Sequence, residues 1–407
     1  MSVEQIRKRR KNQYDILRGL HFEGRLRRSE LSRRYGIRKS SVTNIVVELI
    51  KNGVIAEDEP TDTRSRLYLE SKKFHVVAAA IKPREILFGR VFMDGRMEHT
   101  GVQSFKPSSS SRQILDIVAD RFQRDIAGRE EEILGLGVAV RGLVDPREGR
   151  CQFAANLPNW KDVPVRSVLQ ERLGYPVLVD NDARCQLWAN AWFERLLKTH
   201  SDVFYLSITD GVAGAYIAHG KMVLGARFCA GEIGHTRVGN ERRACQCGGT
   251  DCLETYCSLP AIIDEIQRAR PALNLETAAD VARAATSDTA VEQIIDRAIE
   301  RFSRVLSGVW SALDPELLVI GSHDRSFSRL LCPLFVKHLK NQGCRTINAA
   351  QIITADSEDE TLLQGIAAYV IEDSFQRSTP AMPRLGTLEE PPVLVEKAPR
   401  RRKKALV

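Results

Sequence analysis

The chain has 407 residues, 43% of them hydrophobic and 28% charged, which indicates ordinary globular material in two or three domains. No apolar run reaches the roughly 18 residues needed to cross a bilayer, and the basic N-terminus lacks the apolar segment and cleavage site of a secretory signal. A membrane role is thereby excluded and a cytoplasmic location expected. The formal net charge of +8 is uneven: residues 1–75 hold 18 Lys and Arg against 10 Asp and Glu, residues 376–407 hold 8 against 3, and the stretch between them holds 34 against 39. Whatever binds polyanions is therefore terminal.

The first segment predicts a helix-turn-helix. In "NQYDILRGLHFEG", Tyr14, Ile16, Leu17, Leu20 and Phe22 fall at roughly helical spacing, and Gly24 can close that helix. Ser29 is the expected N-cap of a short second helix that ends near Tyr35, with Gly36 in the tight turn. A third helix is expected from Lys39 to about Asn52, its inner face formed by Val42, Ile45, Val46, Leu49 and Ile50, and ended by Gly53. Beyond it, "VIAEDEPTDTRSRLYLE" alternates around a polar turn as a two-stranded wing would. Arg38, Lys39, Ser40, Ser41, Thr43 and Asn44, at the start of the third helix, suit base edges and phosphates, and Arg64 and Arg66 in the wing suit the DNA backbone or minor groove. The bland alternative is a basic helical hairpin of no special purpose.

From residue 76 onward, short apolar runs such as "HVVAAAI", "EILFGRVFM", "ILGLGVAV", "PVLVD", "VFYLSIT", "AGAYIAH" and "ELLVIG" alternate with helical stretches. This predicts an α/β domain of two lobes and a cleft, with helices on both sheet faces, over 76–375. The tail, 376–407, is rich in Pro and charge and is expected to be disordered; its "RRRKK" either adds loose affinity for nucleic acid or is simply a solvated tail.

Two constellations carry chemistry. Cys245, Cys247 and Cys252 lie on a Gly-rich loop, and with His235 ten residues upstream they would complete a tetrahedral zinc shell. The alternative is a set of reduced core thiols. Four protein ligands leave no open position for water, so such a zinc, one per chain, would be structural. The other cysteines, Cys151, Cys185, Cys229, Cys257, Cys332 and Cys344, are expected to be buried. Glu232 and Glu254 flank the zinc loop and could accept bonds from the vicinal hydroxyls of a sugar. In "PVLVDNDA", a strand ends at Asp180, Asn181 and Asp182 where a helix begins, a usual place for ligand groups; an Asp there could equally cap the helix.

Taken together, "LGLGVAVRGLVDPREGRCQFAANLPNWKDVPVRSVLQERLGYPVLVDNDA", "AGEIGHTRV" and "CQCGGTDCLE" resemble the ROK family of repressors, uncharacterised reading frames and kinases, and the winged helix ahead of them resembles its repressor branch. The resemblance implies two lobes of the actin-like, ribonuclease-H-like sugar kinase type. It also implies zinc on His235, Cys245, Cys247 and Cys252, and sugar hydroxyls held by Asn156, Asn181, Asp182, Glu232, His235 and Glu254. One departure falls inside the metal loop, where Asp251 replaces the family's last glycine; a position with φ > 0 would tolerate Asp at modest cost.

In kinases of this family the position of Asp182 is the general base, and ATP phosphates lie on a D-x-G-G-T loop and a G-T-G-x-G-x-G turn. Here the corresponding stretches read "VAAAIKPREILFG" and "SITDGVAGAYI", without the Gly pair, with Pro83 removing a donor and with Asp210 placed against phosphate; a third, adenosine-side G-G is half kept at Gly321. The implied function is a sugar-responsive transcriptional regulator, a repressor on a double-stranded operator, as a homodimer or homotetramer without kinase activity. The rivals are a sugar kinase with a regulatory DNA-binding domain and a DNA-binding protein that senses no ligand.

Overall fold

A computed structural model describes residues 2–59, 65–157, 159–356 and 359–377, so Arg64 and the tail from 378 lie outside the described residues. Helix α1 (Val3–Glu23) begins well before its apolar stripe because Ser2 caps it: the Gln5 amide donates to Ser2 Oγ at 3.2 Å and the Ser2 amide to Gln5 Oε1 at 2.9 Å. Strand β1 (Leu26–Arg27), α2 (Arg28–Tyr35), α3 (Lys39–Lys51), β2 (Ile55–Glu57) and β3 (Arg66–Leu69) complete the winged helix. Ser29 is not the cap of α2. That position falls to Arg27, whose amide donates to Glu30 Oε2 at 2.7 Å, and Ser29 sits in the first turn. Gly36 turns the chain between α2 and α3 at φ 64°, a conformation that favours glycine. The wing has three strands rather than two, in the order β1-β3-β2, because Leu26 and Arg27 pair with Leu67 and Arg66. Val42, Ile45, Val46 and Leu49 of α3 are buried as the spacing requires, and Ile50 partly so.

The first lobe contains β4 (His75–Ile81), β5 (Glu85–Phe92), β6 (Met97–Ser104), α4 (Ser111–Ile126), β7 (Ile133–Val140), a small sheet of β8 (Leu143–Asp145), β9 (Arg150–Phe153) and β10 (Lys161–Val163), then α5 (Val165–Leu173), β11 (Val177–Asn181) and α6 (Asp182–Phe193). The second contains β12 (Val203–Ile208), β13 (Val212–Ala218), β14 (Lys221–Met222), α7 (Glu254–Cys257), α8 (Leu259–Ala269), α9 (Ala278–Ala285), α10 (Thr289–Leu313), β15 (Leu317–Ser322), α11 (Arg325–Asn341) and β16 (Ile352–Asp356), after which α12 (Asp359–Phe375) returns to the sheet of the first lobe. The five-stranded sheets, β6-β5-β4-β7-β11 and β14-β13-β12-β15-β16, share one order. In each, the second strand alone runs antiparallel to the other four. The central strands are buried on both faces, which is why they read as unbroken apolar runs.

Helices α6 and α12 form the layer between the sheets: α12 packs on β4, β5, β7 and β11, and α6 reaches β12 and β13. They approach so closely that a Cβ at Gly365 would lie 1.8 Å from the Cys185 carbonyl oxygen, which excludes any other residue there. The winged helix hangs on the same layer. Gln13 Nε2 donates to the carbonyls of Phe375 (3.2 Å) and Arg377 (2.5 Å), and the Tyr14 hydroxyl donates to Glu372 at 2.6 Å. His21 stacks on Trp192 at 4.3 Å, with Nε2 3.1 Å from the Trp192 carbonyl. Arg377 Nη1 donates to Leu134 O at 2.6 Å, so residues 376 and 377, expected in the tail, belong to the fold. Among the described residues no helix is long and apolar enough to cross a membrane.

Candidate functional site

The metal loop converges as the spacing suggested. His235 closes a short 3-10 turn (Ile233–His235), and the cysteine loop is pinned by the Cys245 amide on Gly249 O (2.9 Å) and the Gly248 amide on Cys245 O (3.0 Å). His235 Nδ1 lies 3.6 Å from Cys245 Sγ, Cys247 Sγ lies 3.7 Å from Cys252 Sγ, and the four donor atoms are all within 4.8 Å of one another. Ligands 2.0–2.3 Å from a zinc ion stand roughly 3.5–3.8 Å apart along tetrahedral edges, so the donor set fits that ion, whereas a disulfide would need about 2 Å. Cys257 is buried outside the shell, its thiol on Ala298 O at 3.2 Å. Cys151, Cys185 and Cys344 are buried and Cys332 partly so, but Cys229 is exposed, against expectation, because it follows β14 in an open loop rather than in an element.

Asp251 has φ 58°, as a residue replacing glycine should. Its carboxylate is fully buried and accepts from the Arg242 and Arg243 amides (3.1 Å each) and the Tyr256 hydroxyl (2.7 Å), with Arg237 at 3.7 Å. Burial alone would raise its pKa, but these bonds outweigh it and hold the carboxyl below its ordinary range.

In the cleft, Asn181 is the cap of α6: Oδ1 accepts the Ala183 (2.9 Å) and Arg184 (3.3 Å) amides, and Nδ2 donates to Gly142 O at 2.8 Å. That leaves the carboxylate of Asp182, the first helical residue, to accept from Arg141 Nε at 3.3 Å, on the side toward the second lobe. Burial raises the pKa of Glu232, and the charges of Asp182 and Glu254 push it further in the same direction, while His235 and Arg184 oppose the shift. Asp182, Glu232 and Glu254 thus share one neighbourhood. Asn156 lies in the turn between β9 and β10, closed by the Ala154 amide on Trp160 O at 3.1 Å. This turn sits against Gly142, where a Cβ would be 2.5 Å from Phe153 O, and so next to the partner of Asn181.

The β12–β13 turn, where a phosphate loop would be, has three of its amides engaged within the fold. The Val212 amide donates to Glu254 Oε2 (3.0 Å), the Gly214 amide to Gly231 O (2.7 Å) and the Thr209 amide to Gly211 O (2.9 Å). Asp210 lies between His323 Nε2 (3.5 Å) and Arg141 Nη1 (3.6 Å). The bond from His323, backed by Arg141, holds its pKa at about 2 against the effect of burial. Sequence reasoning missed Arg141, which bridges the lobes from Asp182 to Asp210. The signal available was a cation at the end of an otherwise apolar strand, "VAVRG".

On the winged helix, Arg38, Lys39, Ser40, Thr43, Asn44 and Arg66 are exposed and Ser41 is half-buried. Glu48, the single acid in α3, is drawn off by an ion pair with Arg9 of α1.

Comparison with known proteins gives a ROK family match over residues 91–373 and a MarR family match over residues 11–65. The chain is 24% identical to a xylose repressor of Caldicellulosiruptor bescii over 85% of its own length and 92% of that protein. It is 30% identical to a glucokinase of Halalkalibacterium halodurans over 50% of its own length and 66% of that enzyme. The crystal structure of a ROK family transcriptional regulator, a homologue of the Escherichia coli MLC protein, superimposes with a TM-score of 0.78 at 17% identity, covering 91% of this chain and 98% of that one.

Proposed function

The chain belongs to the ROK family, and from that premise we propose that it is a transcriptional repressor whose operator affinity is set by a monosaccharide or sugar derivative bound between the lobes. The observation that carries this reading is helix α6. Asp182, at its first residue, is joined through Arg141 to Asp210 of the second lobe, and the carbonyl of Trp192, near its last, receives His21 of the DNA-binding domain. A ligand that favours one setting of this helix therefore has a direct lever on α1.

In this reading Asp182, Glu232 and Glu254 accept the sugar hydroxyls, with Asn156 beside them. Asn181 mainly holds Asp182 in place, because its carbonyl oxygen already serves two amides. His235 goes to zinc: Nδ1 faces the thiols, while Nε2, 3.7 Å from Glu232, keeps a donor toward the ligand side. His235, Cys245, Cys247 and Cys252 would hold the ion with no open position, so its role would be to order the loop that carries Glu232 and Glu254 rather than to supply chemistry. Arg38, Lys39, Ser40, Ser41, Thr43, Asn44, Arg64 and Arg66 meet duplex DNA, and two half-sites imply a homodimer or homotetramer.

A kinase needs amides free for phosphate. Glu254 and Gly231 occupy two of them here, and Asp210 adds charge repulsion, which supports a protein without turnover. The retained Asp182 and the likeness to a glucokinase favour the enzyme alternative. A panel of hexoses, pentoses and amino sugars, tested by ADP release and by duplex selected from a random pool, separates the readings. We expect no ADP and a sugar that shifts duplex affinity at least five-fold. ADP release abolished by Asp182→Asn overturns the repressor reading.

A further inference from the structure

The exposed side of α3 carries more than the polar residues assigned to DNA above. Ser40, Thr43, Asn44, Val47 and Lys51 recur at i, i+3, i+4, i+7 and i+11, a single stripe opposite the buried Val42, Ile45, Val46 and Leu49. Val47 is 56% exposed in the middle of it. A lone exposed valine is unremarkable on a protein surface, so its neighbours decide what it does. Thr43 Oγ1 donates to Lys39 O at 3.1 Å, which turns the only hydroxyl proton into the helix's own backbone and leaves a methyl and an acceptor for a partner. Glu48, adjacent in sequence, is held by Arg9. The stripe is thus apolar at its centre, has Lys39 and Lys51 at its ends, and shows no unpaired anion.

We propose that Val47, with the Thr43 methyl beside it, is a specificity residue that reads thymine through its 5-methyl group in the major groove. This rests on the DNA-binding function proposed above. The thymine methyl is the apolar group that a base pair presents in that groove, and a short aliphatic side chain on a recognition helix is its natural complement. Reach is adequate: eight residues separate Lys39 from Val47, about 12 Å along a helix, comparable to the roughly 12 Å width of the groove. The flanking lysines favour a polyanion over an apolar protein surface as the occupant.

The test uses the full chain. Random duplexes are selected with the wild type and with Val47→Ser, and thymines in the wild-type motif are then replaced one at a time by deoxyuridine, which lacks only the methyl. At one or two positions the replacement should weaken wild-type binding about four-fold, the value of burying one methyl, and leave Val47→Ser nearly unchanged. Val47→Thr, which keeps a methyl at the same place, should retain most of the wild-type penalty. An equal deoxyuridine penalty in wild type and Val47→Ser at every position overturns the assignment. So does a Val47→Ser protein that changes its subunit assembly and leaves base preference intact, since Val47 would then be a protein contact. A wild-type pool without enrichment removes the DNA-binding reading itself, and this inference with it.

Discussion

Asp251 illustrates how a departure from a family pattern can be misjudged from sequence alone. The change from glycine reads as a weakness, and the positive φ of 58° agrees with what a glycine position requires. What the sequence could not display is that the carboxylate receives two amides of its own loop, and that Tyr256, clamped between the guanidinium groups of Arg243 (4.0 Å) and Arg301 (4.1 Å), aims its hydroxyl there. Two opposing effects then decide any substitution. Asp251→Gly removes the cost of a left-handed non-glycine residue, but it takes the acceptor from two part-buried amides and from the buried Tyr256 hydroxyl. The second effect is larger, so restoring the family's glycine should lower the melting temperature by roughly 5 °C and reduce zinc content per chain. Asp251→Asn, which keeps one acceptor and tolerates the same φ, should fall between the two proteins. A glycine variant at least as stable as the wild type, with its metal complement intact, would show that the hydrogen bonds carry no weight.

At the scale of elements, most of the sheet strands were legible because they are buried on both faces, and α3 because its apolar residues follow a clean helical period. Helix α12 was not, for the opposite reason. It is enclosed by the first lobe's sheet, by α6 and by α1, so apolar residues line nearly all of it and the period that would betray a helix is absent. The residues of the cleft were legible as types, but their division of labour was not: nothing in "VDNDA" says that Asn caps the helix and Asp faces outward. The far end of α6 was also invisible, since His21 and Trp192 are 171 residues apart. Burial lowers the His21 pKa to about 4, below its ordinary 6.5, and the bond to the Trp192 carbonyl does not compensate. His21 is therefore neutral in the fold, and its contribution is complete above pH 6.5. As pH falls from 6.5 toward 4 the unfolded chain takes up the proton first, and stability should drop by up to about 3 kcal/mol. Burial lowers the His75 pKa to about 4 as well, so denaturant titrations between pH 7.5 and 4.5 should show the two declines together, and His21→Phe, which keeps the stack on Trp192, should remove roughly half of the total. A variant with the same pH dependence as the wild type would place the titrating group elsewhere.

At the scale of the molecule, the two sheets share one order and touch through the α6–α12 layer, and the winged helix is fastened to both helices of that layer. Gln13 and Tyr14 hold the end of α12, whereas His21 holds the end of α6. Sliding of one helix against the other would therefore turn α1, and the packing at Gly365 leaves room for discrete settings rather than continuous play. Tyr14→Phe removes a single hydroxyl, the donor to Glu372, and alters neither the residues proposed for the sugar nor those of α3. If the layer transmits the ligand's effect, this change should leave the sugar affinity of the DNA-free protein within two-fold of wild type, while the ratio of operator affinities with and without sugar falls at least three-fold. Coupling between two ligands is reciprocal, so the same reduced ratio must appear when sugar affinity is measured with and without operator duplex. Equality of the two ratios checks the measurement. A full wild-type ratio in Tyr14→Phe would mean that α12 is only a scaffold and that α6, through His21, carries the signal alone.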